Sequence, residues 1–134
     1  MNPWDEKNSS PNYRLSAMIL DKDAMCKQVR SDNDVAYIPE HGKSRPTEIL
    51  DALKFMSADG RPIWKPMHMQ PMYRIHEFIT VDGSGRCRTN AYIAGGVEDI
   101  GADVFQLGLC LPSDNNMTKE QQNVIIDTIR RCFE

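Results

Sequence analysis

No stretch of this sequence stays apolar for the roughly 18 to 20 residues that a membrane-spanning helix needs. Its opening, MNPWDEKNSSP, is polar where a secretion signal would be hydrophobic. These two absences make a cytoplasmic location the expectation. Charge of one sign is missing too: 16 Lys and Arg stand against 19 Asp and Glu, a net charge of −3. A nucleic-acid surface needs a concentrated basic patch, and Arg86, Arg88, Arg130 and Arg131 are too few and too scattered to make one. Cysteine is scarce: Cys26, Cys87, Cys110 and Cys132 form no C-x-x-C pair. Structural zinc sites use close ligand pairs, so no metal site is expected. Four reduced thiols are the expectation, with Cys110 and Cys132 in the core; the even count leaves disulfides open only for an exported chain. The carboxylate pairs Asp21/Asp23 and Asp32/Asp34 lack the spacing of a calcium loop. Repeats and low-complexity tracts are also absent.

What is present suits one globular domain. Of the 134 residues, 40% are hydrophobic and 26% charged. Residues 1–11 read as a linker or tail and 12–134 as the domain. The stretch NYRLSAMIL predicts a strand over 12–20, with Tyr13, Leu15, Ala17 and Ile19 on one face and Met18 and Leu20 on the other. MCKQV suggests one helical turn and residues 35–38 a short extended piece. PTEILDALKFMSADG predicts a helix, with Pro46 in the first turn, Glu48 and Asp51 near the positive end and Gly60 as the stop. RPIW reads as extended, EFITV as a strand, Asp82 and Gly83 as a turn, and TNAYIAGG as extended or irregular. A helix follows over about 97–107, with Asp99 near its start, then a short buried strand at LCLP. The last helix is the clearest: Thr118 and Gln121 fit a capping box, and Val124, Ile125, Ile129, Cys132 and Phe133 recur at helical spacing. The expected fold is α+β, a small, mostly antiparallel sheet packed with helices.

One segment resists this scheme. RPIWKPMHMQPMY, residues 61–73, holds three prolines, three methionines, one tryptophan, one lysine and one histidine. Its prolines forbid a central strand. Trp64 with Met67, Met69 and Met72 can plug a gap between domains, since methionine fills irregular space. The same segment can line a site: Trp64 offers a flat face to a sugar or base, Lys65 a point charge for a diphosphate, and His68 a polar or proton-handling group. Elsewhere, His41, the His76–Glu77 pair, Arg86 and Arg88 fit solvated loops, and Tyr13 and Arg14 fit packing and rim contacts.

RPIWKPMHMQPMY is similar to the R-P-x-W-K-P-M-H-x-Q-P segment of the DegT/StrS-type sugar aminotransferases. NYRLSAMIL resembles the strand that opens their C-terminal domain, and GLCLPSDNNMTKEQQNVIIDTIRRCFE their closing G-L-C-L-P-S segment and final helix. The resemblance covers nearly the whole chain from Pro11 onward, with Asp114 standing where the family often has glycine. It implies the small C-terminal domain of an aspartate-aminotransferase-type fold. It also implies a dimeric enzyme that uses pyridoxal 5'-phosphate to move an amino group from glutamate to a nucleotide-linked keto-sugar, for surface polysaccharide or other amino-sugar synthesis. The resemblance does not reach the large domain, which carries the cofactor lysine and the acid that partners the ring nitrogen. The expectations are therefore no catalytic, cofactor-binding or metal-binding residue in this chain, with Trp64, Lys65 and His68 as substrate-binding residues. The expected partners are a large pyridoxal-phosphate domain, a nucleotide-sugar and a second copy through residues 61–73. An alternative is a stand-alone, non-catalytic module that binds a nucleotide-sugar or self-associates.

Overall fold

The computed structural model describes residues 7, 8, 10, 14–30, 35–73, 76 and 99–134. The expected strand EFITV, the turn at Asp82 and Gly83, the extended TNAYIAGG, Tyr13, Asp32, Asp34, Arg86, Arg88 and Cys87 lie outside the described residues, as does most of the tail.

The fold is α+β. In chain order the elements are β1 (Ser16–Ile19), β2 (Lys27–Arg30), β3 (Val35–Ile38), α1 (Pro46–Phe55), β4 (Arg61–Pro62), α2 (Ile100–Leu107), β5 (Gly108–Leu111) and α3 (Lys119–Arg131). One sheet has the order β1-β5-β4 and is antiparallel throughout. Its centre is β5, which sets Ala17 opposite Cys110 and Arg61 opposite Cys110 on its other edge. Strands β2 and β3 form a separate antiparallel pair with Lys27 opposite Ile38. The MCKQV segment is thus largely strand rather than a helical turn. A lone helical turn fixes several dihedrals for one hydrogen bond, whereas the β-branched VAYI segment offers Lys27–Arg30 a full ladder.

The core is Leu20, Met25, Ile49, Leu53 and Leu109, with Met18, Leu50, Leu111, Ile125, Ile129, Cys132 and Phe133 packed against it. Helices α1 and α3 therefore lie on the sheet face that carries Met18, Leu20 and Leu109. Both faces of β1 look apolar in sequence, but the structure covers them unequally: Leu20 is 6% exposed, while Leu15 and Ile19 are each 50% exposed. Cys26 and Cys110 are buried and Cys132 is half-buried, all as free thiols.

Helix α1 starts at Pro46, as expected, but it ends before Gly60. The Ser57 N–H donates to the Lys54 carbonyl at 3.0 Å and the Ala58 N–H to the Leu53 carbonyl at 2.9 Å. That is a Schellman closure with Ser57 in the left-handed region at φ 59°. Gly60 serves close approach instead, since a Cβ there would lie 2.9 Å from Leu50 Cδ2. Helix α3 has its capping box in full: Gln121 N–H donates to Thr118 Oγ1 at 3.3 Å and Thr118 N–H to Gln121 Oε1 at 2.9 Å. Among the described residues, no helix is long and apolar enough to cross a membrane.

Candidate functional site

Between the β4–β5 edge and the start of α3 lies an open groove of about 880 Å³, within the size range of small-molecule sites. The loop from Ser57 to Asp59 and strand β4 form one wall; Met117, Gln121, Val124 and Ile125 form the other. Cys110, Leu111 and Pro112 run between them, and Leu15 and Trp64 border the groove. The chemistry is mixed. Trp64 is 70% exposed and offers an aromatic face. Arg61 holds Asp59 Oδ2 through Nε at 3.2 Å and Nη2 at 2.9 Å, leaving a charged pair on the rim. Both partners are about three-quarters exposed, so the pair contributes at most about 1 kcal/mol to stability. It is available to meet hydroxyl or phosphate oxygens.

The loop after β5 is held from two sides. Ser113 Oγ donates to the Arg14 carbonyl at 2.9 Å, tying the loop to the approach to β1. Asp114 Oδ1 accepts the Asn116 N–H at 2.9 Å, an Asx turn. Asp114 does not have a positive φ, so the departure from glycine there carries no backbone strain.

The expected site residues do not converge. Trp64 reaches the groove, whereas Lys65 and His68 are not among its lining residues. Lys65 is exposed, and its carbonyl accepts the Gln70 side-chain amide at 3.3 Å, folding the segment back on itself. His68 sits on a single 3-10 turn, Met67–Met69, and turns the other way. Its Nε2 lies 2.5 Å from Asp99 Oδ2, with side-chain exposures of 17% and 7%. Asp99 Oδ1 meanwhile accepts the Ala102 N–H at 3.0 Å and caps α2. The sequence placed Asp99 near the start of a helix over about 97–107; the helix begins later, at Ile100, and Asp99 is its N-cap. Its contact with a histidine 31 residues earlier had no local signal. The Asp59–Arg61 pair was likewise missed, because nothing in its spacing distinguishes it from surface charge.

One thiol and one carboxyl group are shifted. Burial, and then the nearby Glu48 carboxylate, push the Cys132 thiol above its ordinary value. Backbone hydrogen bonding at the start of α3, helped by the Thr118 hydroxyl, holds Glu120 below its own. Neither residue lines the groove. Among the described residues, no group of three His, Cys, Asp or Glu side chains is arranged to hold a metal ion.

The resemblance implies pyridoxal phosphate as the cofactor. Among the described residues that line the groove, none is a lysine. Covalent chemistry with this cofactor needs an amine at the aldehyde, so the groove does not fit the group as a covalent site.

No protein-family model matches the chain. Over 88 residues it is 30% identical to the protein named "Putative pyridoxal phosphate-dependent aminotransferase EpsN" of Bacillus subtilis (strain 168). The match takes in 66% of this chain and 19% of that protein, so the chain spans about a fifth of the relative's length.

Proposed function

We propose that this chain is the C-terminal small domain of a pyridoxal-phosphate-dependent aminotransferase of the DegT/StrS type, which moves an amino group from glutamate to a nucleotide-linked keto-sugar. The observation that carries the reading is the likeness to an aminotransferase over two-thirds of the chain. The RPIWKPMHMQPMY and GLCLPS motifs support the sugar-nucleotide branch. The α+β fold is compatible with such a domain, and the groove beside Trp64 suits a ligand with both a flat ring and polar oxygens. Trp64, Lys65 and His68 are assigned to the substrate side. The lysine and the ring-nitrogen acid belong to a large domain supplied by a longer polypeptide or by a separate chain.

The chain alone is then inactive. Mixed with pyridoxal phosphate, it should give no stoichiometric absorption band above about 400 nm, the mark of a lysine-bound cofactor. Co-expression with a large domain of the same enzyme class should restore transamination of a keto-sugar nucleotide. Turnover by the 134-residue chain alone would contradict the proposal.

A second reading is favoured by exposed apolar side chains in residues 61–73: Trp64 and Met72 are each 70% exposed and Met67 is 63% exposed. Such a surface suits self-association, and the chain would then be a non-catalytic module that pairs with itself or binds a nucleotide-sugar. Sedimentation of wild type against Trp64→Ser with Met67→Ser separates the two. A dimer lost in the variant, with no complementation by a large domain, selects the second.

A further inference from the structure

The sheet β1-β5-β4 ends in two edges, and they are built differently. Strand β4 consists of Arg61 and Pro62. A charge and a proline on a very short strand are devices that keep a sheet edge from pairing with another chain. Strand β1 reads SAMI and carries neither. Among the described residues only β5 pairs with it. Ser16 and Ala17 are exposed, and Leu15 and Ile19 are half exposed. The ladder shows which backbone groups face outward. Leu20 continues the register opposite Leu107 and donates its N–H to the Leu107 carbonyl at 2.9 Å. Hydrogen-bonded pairs alternate along an antiparallel ladder. Met18 and Ser16 therefore also bond toward β5, while Ala17 and Ile19 turn their N–H and C=O to the outer edge. Side chains alternate with the same period, so Ala17 and Ile19 lie on the sheet face away from Met18.

We infer that β1 is a docking edge for a second copy of this chain, pairing antiparallel with its own counterpart about a twofold axis at Ala17. The inference goes beyond the proposed function and does not depend on it. Centred on Ala17, the pair sets Leu15 of each copy against Ile19 of the other, so the half-exposed side chains cover one another. Centred on Met18, it would set Leu15 against Asp21. Charge selects the antiparallel sense. Arg14 precedes the strand and Asp21 and Asp23 follow it, all three exposed. Antiparallel pairing brings the basic start of each copy beside the acidic end of the other, whereas a parallel pair sets like against like. Lys22 also stands at the acidic end, but its Nζ is bound to Asp103 Oδ2 at 3.1 Å. Arg14 has other contacts of its own, and it enters only through the sign of its charge. Strands this short make a contact below the roughly 1,200 Å² of a standard interface, so the dimer is a weak one.

Sedimentation equilibrium of the full chain, run up to about 1 mM because the contact is small, reads the association. Wild type should shift from monomer toward dimer over that range. Ala17→Lys places two like charges opposite each other across the axis and should weaken association about fivefold. Its circular dichroism should match wild type, because Ala17 is exposed. Trp64→Ser with Met67→Ser should leave the dimer intact. In a hydrogen-bonded antiparallel pair the two Cα atoms stand about 5.5 Å apart, within disulfide reach. Ala17→Cys should therefore cross-link to a dimer on mild oxidation, beyond the level of wild type, and Met18→Cys should not. The inference is overturned by a wild type that stays monomeric at about 1 mM, by an Ala17→Lys protein that associates as wild type does, or by cross-linking of Met18→Cys in place of Ala17→Cys. A dimer lost in the Trp64 and Met67 variant and kept in Ala17→Lys also overturns it, and moves the interface to residues 61–73. If Ala17→Lys fails to fold, the two cysteine variants decide.

Discussion

Gly108→Ala tests how β5 sits against its neighbours. Gly108 has φ −106° and ψ 154°, an extended conformation open to any residue, so alanine faces no backbone penalty there. The obstacle is space. An added Cβ would stand 2.4 Å from Ile63 Cδ1, 2.6 Å from the Val104 carbonyl oxygen and 2.9 Å from Ile19 Cδ1. The isoleucine tips can rotate away. The carbonyl cannot, because it belongs to the last turns of α2, and β5 is hydrogen-bonded on both edges. Overpacking of this kind costs about 1–3 kcal/mol. Gly→Ala at a compatible backbone returns about 0.4–1 kcal/mol through the unfolded chain. The net expectation is a loss of about 1–2 kcal/mol, or roughly 3–8 °C in Tm for a chain this size. Urea and thermal unfolding followed by circular dichroism measure it. The double variant Gly108→Ala with Ile63→Val locates the clash: if the carbonyl is the obstacle, trimming the isoleucine recovers little. A Gly108→Ala protein as stable as wild type refutes the packing argument, and full recovery in the double variant moves the blame to Ile63.

Ser57→Gly should stabilise the chain by about 0.5–1 kcal/mol, because Ser57 occupies the left-handed position that glycine takes without strain; chemical denaturation reads the gain. Thr118→Ala should cost about 1 kcal/mol by removing one half of the capping box, with Thr118→Ser recovering most of it. Cys132 titrates above an unfolded thiol, near 8.5, so the folded state binds its proton more tightly. The corresponding stability is fully present below that pH and is lost as pH rises through the folded value. Unfolding scans at pH 7 and pH 10 should therefore show an alkaline loss that is smaller in Cys132→Ala.

What could be read from the sequence was what the chain decides locally. The α3 capping box lies within four residues, so its two partners announce each other, and the structure has both bonds. Pro46 marked the start of α1 for the same reason. The stop of α1 was misplaced because its left-handed residue is a serine, which carries no glycine signal. The glycine that drew attention serves packing against Leu50 and Leu53 instead. The buried face of β1 was undecided because both alternations are apolar. The choice falls to Leu109, which pairs with Met18 from far along the chain and brings α1 and α3 to that side. Asp99 was visible as an acid near a helix start and invisible as the partner of His68, since period and spacing do not report contacts across 31 residues.

The composition of residues 61–73 follows from where their side chains go. Trp64 faces the groove by β5 and α3, and His68 faces the start of α2, four residues away. A strand and a helix would each bring residues four apart to one face, so the segment must bend between them. Proline supplies the bends. Pro66 precedes the first 3-10 turn, and its carbonyl accepts the Met69 N–H at 3.0 Å. Pro71 opens the second turn. Each ring fixes φ, and proline brings no N–H that a half-buried loop would have to satisfy. Methionine then suits the surfaces that result, because its flexible thioether packs against irregular neighbours without a defined partner. With the bend after Trp64 set by Pro66 and His68 held by Asp99, tryptophan and histidine are presented in different directions by one short stretch.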